Sequence, residues 1–431
     1  MRQAVILAGG KGTRLAKKSL GLPKPMVKVN GVPVLEHIIL ECKKNGITKV
    51  TLLVSHKYEV IQDYFGDGSL WGVSLEYVVD NEARGTAHAL LGCIDSLEEE
   101  FVVIYGDTYF NVNLRKMYSY HRSLNSDVTL FVHPNDHPFD SDLIEISENN
   151  KITNIHSYPH NGNDYQNLVN AALYIIKKTA LRAKITLPNS ADIAKNLFPL
   201  LLQNNISMYA YRSPEYIKDM GTPKRLEKVE ADVISGLPQR KNINFFQPTI
   251  FLDRDGTINY DTGHLSNIDS FKLYEGAAEA IRKINQSGYL CIVITNQPVI
   301  ARGELSVTGL KAIHNRMESL LGEQGAFIDA IYYCPHHPHA GYENEVKSLK
   351  IDCSCRKPRT GLFEEACTTF KIDKKNSWMI GDSTSDINAA NNFGIKSALV
   401  NTGFAGSDRK QLVSSDIEAE DLLDAVNKII G

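Results

Sequence analysis

Long apolar stretches are absent from this 431-residue chain, and no run approaches the roughly 18 apolar residues that a membrane-spanning helix needs. The first apolar run, AVILA, is too short for the core of a signal peptide and leads directly into glycines. A formal net charge of −3 leaves no excess of cations for nucleic acid or an anionic membrane. These absences predict a cytoplasmic protein whose partners are small molecules, with the oligomeric state left open.

Cysteine is scarce, and three of the seven cysteines fall between residues 334 and 355. In a reducing compartment such a cluster is better interpreted as metal ligands than as disulfides. Two short pairs supply one nitrogen and three sulfurs, a set typical of a closed, structural Zn²⁺ site. These candidate ligands are Cys334, His336, Cys353 and Cys355. His337 and His339 are alternative ligands in the same stretch.

The chain is too long for one ordinary core, and its pattern restarts near the middle. Apolar strand-like runs alternate with amphipathic helix-like segments, which is typical of a largely parallel sheet covered by helices. The stretch GLPQRKNINFFQP contains two prolines and a glycine. The prediction is an α/β protein with domains at 1–235 and 249–431, joined by a linker at 236–248.

The first domain opens with a strand followed by GGKGTRL, which fits neither common nucleotide-binding glycine motif. Gly9, Gly10 and Gly12 nevertheless let backbone N–H groups approach an anion closely. Lys24 follows in PKPM, where two prolines hold it in a stiff setting. Phosphate binding after the first strand is therefore expected.

Four further stretches complete a pattern that resembles the sugar-1-phosphate nucleotidyltransferase family over residues 1–230: ARGTAHAL, IYGD, VNAALYII and IKDMGTPKRL. The resemblance implies a Rossmann-like, GT-A-like mixed sheet and the transfer of a nucleotidyl group to a sugar 1-phosphate. It departs from the family at Ala172, where glycine is usual, and in 155–173, which lacks the family's lysine.

The resemblance also implies roles for particular side chains. Arg14 would stabilise the departing pyrophosphate and Lys24 would neutralise the reacting phosphates. Asp107 and Asp219 would hold Mg²⁺, which prefers oxygen ligands. The residues implied to bind nucleotide or sugar phosphate are Gly9, Gly10, Gly12, Thr13, Gly85, Thr86 and Asn170.

The second domain begins with the strand TIFLDRDGTIN, in which Asp253 and Asp255 are two residues apart. This spacing places both carboxylates on one side of the strand end, where they suit metal binding and nucleophilic attack. The segments VITNQ, CRKP and MIGDSTSDI follow in order. Together these motifs resemble the haloacid-dehalogenase-like (HAD) phosphatases, specifically the group that contains heptose bisphosphate and histidinol phosphatases.

By this resemblance Asp253 is the nucleophile and Asp255 the general acid and base. Mg²⁺ would bind Asp253, Asp382 and the carbonyl of Asp255, and Asp386 would orient Lys357 or support the metal. The residues implied to hold phosphate are Thr295, Asn296 and Lys357, with Arg302 and Arg356 as candidates for a second phosphate. The resemblance also implies Zn²⁺ in the loop that precedes Arg356, which would hold that loop in place.

The two resemblances imply consecutive reactions. A 7-phosphatase acting on D-glycero-D-manno-heptose 1,7-bisphosphate would leave a 1-phosphate, which the transferase would activate, with GTP as the favoured triphosphate. Three alternatives stay open: a histidinol-phosphate-type phosphatase, a transferase with another base or sugar, and a non-catalytic sugar-nucleotide-binding module. Pro298, Val299 and Ser383 depart from the phosphatase pattern near the substrate entrance and leave the substrate open.

Overall fold

The computed structural model describes residues 1–10, 21–160, 164–183, 185–408 and 414–431. The chain divides into two compact units. The first unit comprises Met1–His133, Ser141–Tyr158 and Leu168–Asn242, and the second comprises Pro134–Asp140, Pro159–Asn167 and Ile243–Gly431. The expected α/β class with two domains is confirmed. The boundaries at 235 and 249 remain predictions, and a short helix lies within the stretch interpreted as a linker.

The first unit is built on a mixed sheet. Its strands are β1 (Gln3–Leu7), β2 (Lys28–Val29), β3 (Val32–Pro33), β4 (Lys49–Val54), β5 (Ser74–Val79), β6 (Glu100–Tyr105), β7 (Thr108–Asn111), β8 (Val128–His133), β9 (Leu143–Ile146), β10 (Ile152–His156), β11 (Val169–Lys177), β12 (Met208–Arg212) and β13 (Tyr216–Asp219). Its helices are α1 (Val34–Lys44), α2 (Tyr58–Phe65), α3 (Thr86–Gly92), α4 (Leu114–Ser123), α5 (Lys178–Leu181), α6 (Phe198–Gln203), α7 (Pro223–Ile234) and α8 (Leu237–Arg240).

Nine of these strands form one sheet in the order β10-β9-β11-β6-β1-β4-β5, with β8 beside β11 and β12 beside β8. Strands β6, β1, β4 and β5 are parallel, whereas β11 is antiparallel to β6. Ala4 and Ile6 face one apolar core and Val5 faces the other, because successive side chains of a strand point to opposite faces. The four parallel strands therefore end at one edge, where the polar motifs follow them.

The second unit contains a parallel sheet. Its strands are β14 (Thr249–Leu252), β15 (Leu290–Asn296), β16 (Ala330–Cys334), β17 (Trp378–Gly381), β18 (Lys396–Val400) and β19 (Ile417–Ala419). Its helices are α9 (Ala277–Ser287), α10 (Pro298–Ala301), α11 (Val307–Glu323), α12 (Gly361–Thr369), α13 (Thr384–Phe393) and α14 (Leu422–Ile430).

The strand order of this sheet is β16-β15-β14-β17-β18-β19, and all pairs are parallel. Ile250 and Leu252 of β14 face one core and Phe251 faces the other, so helices cover both faces. The order places β14 between β15 and β17, which brings the carboxyl ends of three motif-bearing strands side by side. Among the described residues, none of the helices is both long enough and apolar enough to span a bilayer.

Candidate active sites

The carboxyl ends of β14, β15 and β17 bring together side chains that are far apart in sequence. Asp253 follows β14, Thr295 and Asn296 end β15, and Asp382 follows β17. Since the three strands are adjacent and parallel, these side chains share one edge of the sheet. The apolar side chains of each strand are buried, so this edge is fixed by packing on both faces.

Lys357 is the centre of this edge. Its Nζ lies 2.8 Å from Asp253 Oδ1 and 2.6 Å from Asp386 Oδ1, and it donates to the carbonyl of Ile294 at 2.8 Å. The side chain is 1% exposed, which is rare for lysine unless it is paired. Burial works against the charged form, but Asp253 and Asp386 outweigh it and raise the pKa of Lys357. The backbone of Lys357 is fixed by the Asn296 side chain, whose Oδ1 accepts from Lys357 N at 3.0 Å.

Three carboxylates surround this lysine. Oxygens of Asp253, Asp382 and Asp386 lie within 4.8 Å of one another. Burial and the neighbouring carboxylates raise the pKa of Asp253 to about 7 and that of Asp382 to about 8. The single positive charge of Lys357 therefore does not neutralise the three carboxylates. A hard divalent cation fits these donors because it prefers carboxylate oxygens and would supply the missing positive charge.

Two glycines leave room for the Asp382 carboxylate. Gly256, in the D-x-D-G motif, has φ +82°, and a Cβ there would collide with Asp382 Oδ2. A Cβ at Gly403 would collide with the same oxygen. The N–H of Phe404 donates to Asp382 Oδ2 at 2.7 Å, which orients the carboxylate. The glycine of the motif is therefore required by close approach to a second aspartate.

Asp255 lies beside this group and is held by its own set of donors. Arg254 Nη2 donates to both carboxylate oxygens at 2.9 and 2.7 Å. Gln297 Nε2 and Asn259 Nδ2 each donate at 2.9 Å. Burial acts in the opposite direction, but the Arg254 guanidinium and these amides hold the pKa of Asp255 below its usual range. Asp255 is therefore held as an ion in a fixed orientation.

Arg254 itself is completely buried, which requires partners for a permanent cation. Its Nη1 donates to His314 Nε2 at 3.2 Å. Burial, followed by repulsion from Arg254, lowers the pKa of His314 to about 3, so the imidazole is neutral and accepts this bond. His314 on α11 thus positions Arg254, and Arg254 positions Asp255.

The cysteine-rich stretch forms the cluster that its spacing predicts. The three sulfur–sulfur distances among Cys334, Cys353 and Cys355 are 3.2 to 3.5 Å, too long for a disulfide. His336 Nδ1 lies 3.2 Å from Cys355 Sγ, and all four ligand atoms lie within 4.8 Å of one another. His337 contacts the carbonyl of His339 instead, at 3.1 Å. One nitrogen and three sulfurs form a donor set that suits a thiophilic metal ion. These four protein ligands would be enough for a closed tetrahedral coordination.

A cavity of about 460 Å³ opens beside Lys357 and the cysteine cluster. Its cations are Lys357, Arg356 and Arg359, and Asn296 and Thr384 also line it. Arg356 Nη1 donates to the carbonyl of His336 at 3.3 Å, so the loop that carries the cysteine cluster also fixes the arginine that follows it.

Arg302 lies against Tyr342, with its guanidinium carbon 4.7 Å from the ring centre. Its Nη2 is 3.4 Å from His337 Nε2, and its Nη1 contacts the imidazole of His264. It is not among the residues that line the cavity beside Lys357. Its predicted role in phosphate binding remains a prediction.

In the first unit, a second cavity of about 310 Å³ lies at the carboxyl ends of the parallel strands. Gly9 and Gly10 after β1, Lys24, and Gly85 and Thr86 at the start of α3 line it. Gly85 has φ +96°, and a Cβ there would collide with the carbonyl oxygen of Ala191. The predicted residues Gly12, Thr13 and Arg14 lie outside the described part of the chain.

Lys24 and Asp107 form a direct ion pair in this cavity. Asp219 ends β13, and its Cα is in register with Thr108, the residue after Asp107. Arg225 Nη1 donates to both oxygens of Asp219, at 3.0 and 2.9 Å. Although burial acts in the opposite direction, Arg225 holds the pKa of Asp219 below its usual range. The structure brings the two aspartates to one place, but a metal ion at Asp219 would compete with Arg225.

Two predicted nucleotide-site residues have structural partners. The Thr86 hydroxyl donates to Asp192 Oδ2 at 2.8 Å and accepts from the N–H of Ile193 at 2.9 Å. Asn170 Oδ1 accepts from the N–H of Ala172 at 3.3 Å, and Asn170 does not line the cavity. Thr86 therefore fixes the start of α3. Because its hydroxyl already makes these two hydrogen bonds, a contact between this hydroxyl and a nucleotide would be additional to them.

Several residues of these sites were not predicted from sequence. Arg254 stands between the two aspartates of D-R-D, and Gln297 directly follows T-N, so both could have been found by their position in a motif. Arg225 lies in the motif IKDMGTPKRL together with Asp219, so it too could have been found by position. His314 carries no local signal, because its partner Arg254 becomes a neighbour only in the folded chain. Asp80 after β5 also lines the cavity of the first unit and was not singled out.

Comparison with known proteins supports the resemblance stated above for each half of the chain. Residues 3–236 match the model of the Nucleotidyl transferase family, and residues 354–427 match the HAD-hydrolase-like model. Among curated proteins, the D-glycero-beta-D-manno-heptose-1,7-bisphosphate 7-phosphatase of Haemophilus ducreyi is 41% identical over 158 residues, which is 36% of this chain and 84% of that protein. The phosphatase of the same name from Escherichia coli K12 is 40% identical over 158 residues, 36% of this chain and 80% of that protein.

Solved structures similar to each half are also known. HddC from Yersinia pseudotuberculosis, complexed with GMP-PN, is 25% identical over 54% of this chain and 100% of its own, with a TM-score of 0.46. D,D-heptose 1.7-bisphosphate phosphatase from B. bronchiseptica, complexed with magnesium and phosphate, is 30% identical over 43% of this chain and 98% of its own, with a TM-score of 0.38. The chain belongs to the nucleotidyl transferase family through its N-terminal half and to the HAD-like phosphatases through its C-terminal part, and it is an enzyme of both kinds.

Proposed function

We propose that the second unit removes the 7-phosphate of D-glycero-D-manno-heptose 1,7-bisphosphate and that the first unit joins the resulting heptose 1-phosphate to a nucleotide. The favoured donor is GTP, the released product is pyrophosphate, and both steps take place in the cytoplasm. The curated relatives named for the phosphatase reaction are matched over more than three quarters of their length, which supports the first step.

In the phosphatase step, Asp253 attacks the phosphorus and forms an aspartyl-phosphate while the sugar C7 oxygen leaves. In the substrate complex the negative charge of the phosphate favours the protonated form of Asp255, which delivers its proton to that oxygen. The resulting carboxylate then takes a proton from the water that hydrolyses the intermediate. Arg254, Gln297 and Asn259 keep the carboxylate of Asp255 aimed at one place, and they stabilise the ionised form, which is the form that accepts a proton in the second part of this role. Lys357 balances the charge of Asp253 and of the phosphoryl oxygens.

Two ions complete this unit in the proposal. Mg²⁺ would be held by Asp253 and Asp382, with Asp386 nearby, and would offset the repulsion between carboxylate and phosphate. Zn²⁺ would be held by Cys334, His336, Cys353 and Cys355 and would stabilise the loop without taking part in chemistry, because four protein ligands close its coordination. Arg356, which the loop fixes, would bind the phosphate that remains on C1.

In the transfer step, the sugar 1-phosphate attacks the α-phosphorus of the triphosphate, and negative charge accumulates on phosphate oxygens. Lys24 offsets this charge, and the backbone of Gly9 and Gly10 allows close approach. Asp107 and Asp219 are the proposed Mg²⁺ ligands, and Arg225 is a cation that metal binding at Asp219 would release toward phosphate.

The observation that carries the proposal is chemical continuity within one chain. The phosphatase relatives are named for a sugar that bears phosphates at C1 and C7, and removal of the second leaves the class of compound that the transferase family consumes. A phosphatase for histidinol phosphate would yield a product that a nucleotidyltransferase cannot use.

The test supplies purified protein with each anomer of heptose 1,7-bisphosphate and each of four triphosphates, and follows phosphate and pyrophosphate separately. We expect phosphate release without any triphosphate, and pyrophosphate only when both substrates are present. Histidinol phosphate is the control substrate for the phosphatase. Phosphate without pyrophosphate, for every triphosphate and both anomers, would contradict the coupled function and would favour a non-catalytic first unit.

A further inference from the structure

The second unit contains two segments that come from the first half of the sequence. Pro134–Asp140 follows β8, and Pro159–Asn167 precedes β11. The buried side chain of Asn167 joins them, because its Oδ1 accepts from the N–H of Asn135 at 3.1 Å and its Nδ2 donates to the carbonyl of Asn135 at 2.8 Å. We call the two segments together the paired segments.

The paired segments are hydrogen-bonded to the last turns of α11. The N–H of Tyr165 donates to Ser319 Oγ at 3.2 Å, and the N–H of Asn167 donates to Glu318 Oε2 at 3.3 Å. Glu318 is 6% exposed, and a buried carboxylate requires such donors. The backbone of the paired segments therefore satisfies a buried group of the helix.

Gly322 lets the other segment approach the same helix closely. A Cβ at Gly322 would lie 2.5 Å from Pro138 Cγ and 3.1 Å from Pro138 Cδ. Glycine weakens a helix relative to alanine, so its use near the end of α11 needs another reason. The close approach of Pro138 supplies that reason.

These contacts lie in one row of α11 with the histidine that serves the active site. His314, Glu318 and Gly322 are four residues apart, so they follow one another along one side of the helix at intervals of about 6 Å. His314 accepts from Arg254, and Arg254 donates to both oxygens of Asp255. A helix is a rigid element, so a displacement at Gly322 reaches His314.

We propose that the paired segments position α11 and, through His314 and Arg254, position Asp255 for proton transfer. They act through the helix and are positioning rather than catalytic residues. This inference rests on the proposed function, in which Asp255 gives a proton to the departing sugar oxygen.

The substitution Gly322→Ala tests the proposal, because the new Cβ has to push Pro138 or α11 aside. Alanine is otherwise the better helix former, so a loss of activity would come from this contact. We expect kcat for heptose 1,7-bisphosphate to fall about 10-fold with little change in KM, since a misplaced acid slows the chemical step. Adding Pro138→Ala should restore most of the rate, because Pro138 Cβ lies 4.0 Å from the new Cβ, an ordinary contact.

A substrate whose leaving group needs no proton separates the position of Asp255 from general damage to the site. The phenolate released from 4-nitrophenyl phosphate is stable without protonation, and kcat/KM reports the steps up to its departure. We expect Gly322→Ala to leave this kcat/KM unchanged. The ratio of kcat/KM for the sugar phosphate to kcat/KM for the aryl phosphate should therefore fall about 10-fold.

Two further variants complete the test. Glu323→Ala, at the exposed position next to Gly322, is the matched control and should leave the ratio unchanged. Ser319→Ala introduces no clash and removes the hydroxyl that accepts from Tyr165, so it should lower the ratio by a smaller factor. It also serves as the test if Gly322→Ala does not fold, which urea denaturation shows.

An unchanged ratio in Gly322→Ala and Ser319→Ala would overturn the inference. An equal fall for the sugar and aryl phosphates would also overturn it, as would a loss that Pro138→Ala does not restore. Failure of the proposed function gives a different result, in which the wild type hydrolyses another sugar phosphate and not heptose 1,7-bisphosphate. The same ratio, measured with that sugar phosphate, then tests the role of the paired segments.

Discussion

The two catalytic regions differ in how they handle charge. In the phosphatase site, Lys357, Arg254 and Asp386 are buried; Lys357 is paired with Asp386, and Arg254 with the buried His314. In the transferase site, Lys24, Asp107 and Arg225 are partly exposed. A buried site has to balance its charges for the protein to fold, whereas a solvated site can leave them to water and substrate. Substitutions of charged residues should therefore lower both stability and activity in the phosphatase site. In the transferase site they should lower mainly activity.

The substitution Lys357→Met should have the largest effect, and it tests the difference between the buried and the solvated charges. It leaves the buried Asp386 and the half-buried Asp253 without their shared cation, and we expect phosphate release to fall by about 10²–10³-fold. The free energy of unfolding should fall by about 3 kcal/mol, measured by urea denaturation. Lys24→Met is the matched control: pyrophosphate release should fall similarly with little change in stability. Equal stability of the two variants would refute the contrast between buried and solvated charge.

Removal of the proposed Zn²⁺ from the cysteine cluster should affect the phosphatase alone. In Cys355→Ser the loop loses a ligand just before Arg356, and we expect phosphate release to fall by about 10- to 100-fold. Elemental analysis should show one equivalent of zinc fewer than in the wild type. Cys367→Ser, at an exposed cysteine outside the cluster, should change neither value. A parallel loss of pyrophosphate release in Cys355→Ser would contradict a role confined to one unit.

The first unit also contains a buried ionisable group, which lies away from its active site. We expect this group to make the stability of the protein depend on pH under acidic conditions. Burial lowers the pKa of His121 to about 4, and its Nδ1 contacts the Thr129 hydroxyl at 2.8 Å. Its pKa in the unfolded chain is about 6.5, so the unfolded state gains the proton first as the pH falls. Stability contributed by the neutral form should be lost between about pH 6.5 and 4, on the order of 2 kcal/mol.

His121→Asn should flatten this part of the stability profile. Urea denaturation at several pH values between 4 and 7 measures the change. His37→Asn, at a histidine that is only half-buried, is the control and should leave the slope unchanged. An identical slope in His121→Asn and the wild type would show that this histidine is not the group responsible.

The smallest expected effect is at Ala172, where the chain departs from its family. Ala172 has φ +56°, beside an irregularity in the pairing of β11 with β8. An L-residue is strained there and glycine is not, so Ala172→Gly should stabilise the protein by about 1 kcal/mol. Ala171→Gly, in the same strand, should destabilise it by about the same amount. Thermal unfolding measures the stability of both variants. A change in stability of the same sign in both would contradict backbone strain at Ala172.

The sequence was most informative where apolar strands end in acids. Asp253, Asp382 and Lys357 could be assigned because buried strands of an α/β sheet bring their carboxyl ends to one edge, whatever the loops between them. The choice between His336 and His337 as ligand could not be made from spacing, and the folded loop makes it by turning His337 toward His339. Asp80 was not singled out because its place beside the cavity of the first unit depends on which strands are neighbours.

Other predicted residues have partners in the folded chain that their motifs did not reveal. Thr86 lies at the predicted cavity, yet its hydroxyl serves Asp192, 106 positions further along the chain. Asp219 is where the motif predicts it, yet it is bound by Arg225 from the next helix. The stretch interpreted as a linker contains α8, because Leu237 is buried and Pro238 suits a first helical turn. Motifs predict where a side chain lies, and packing decides what it contacts there.

Asp253→Asn tests most directly whether one chain carries two separate sites for consecutive steps. Given heptose 1-phosphate and GTP, this variant should release pyrophosphate at the wild-type rate. Given heptose 1,7-bisphosphate and GTP, it should release neither phosphate nor pyrophosphate, because no 1-phosphate product forms. Loss of pyrophosphate release from heptose 1-phosphate, in a variant that unfolds like the wild type, would contradict two separate sites. Pyrophosphate release from the bisphosphate would contradict the order of the steps.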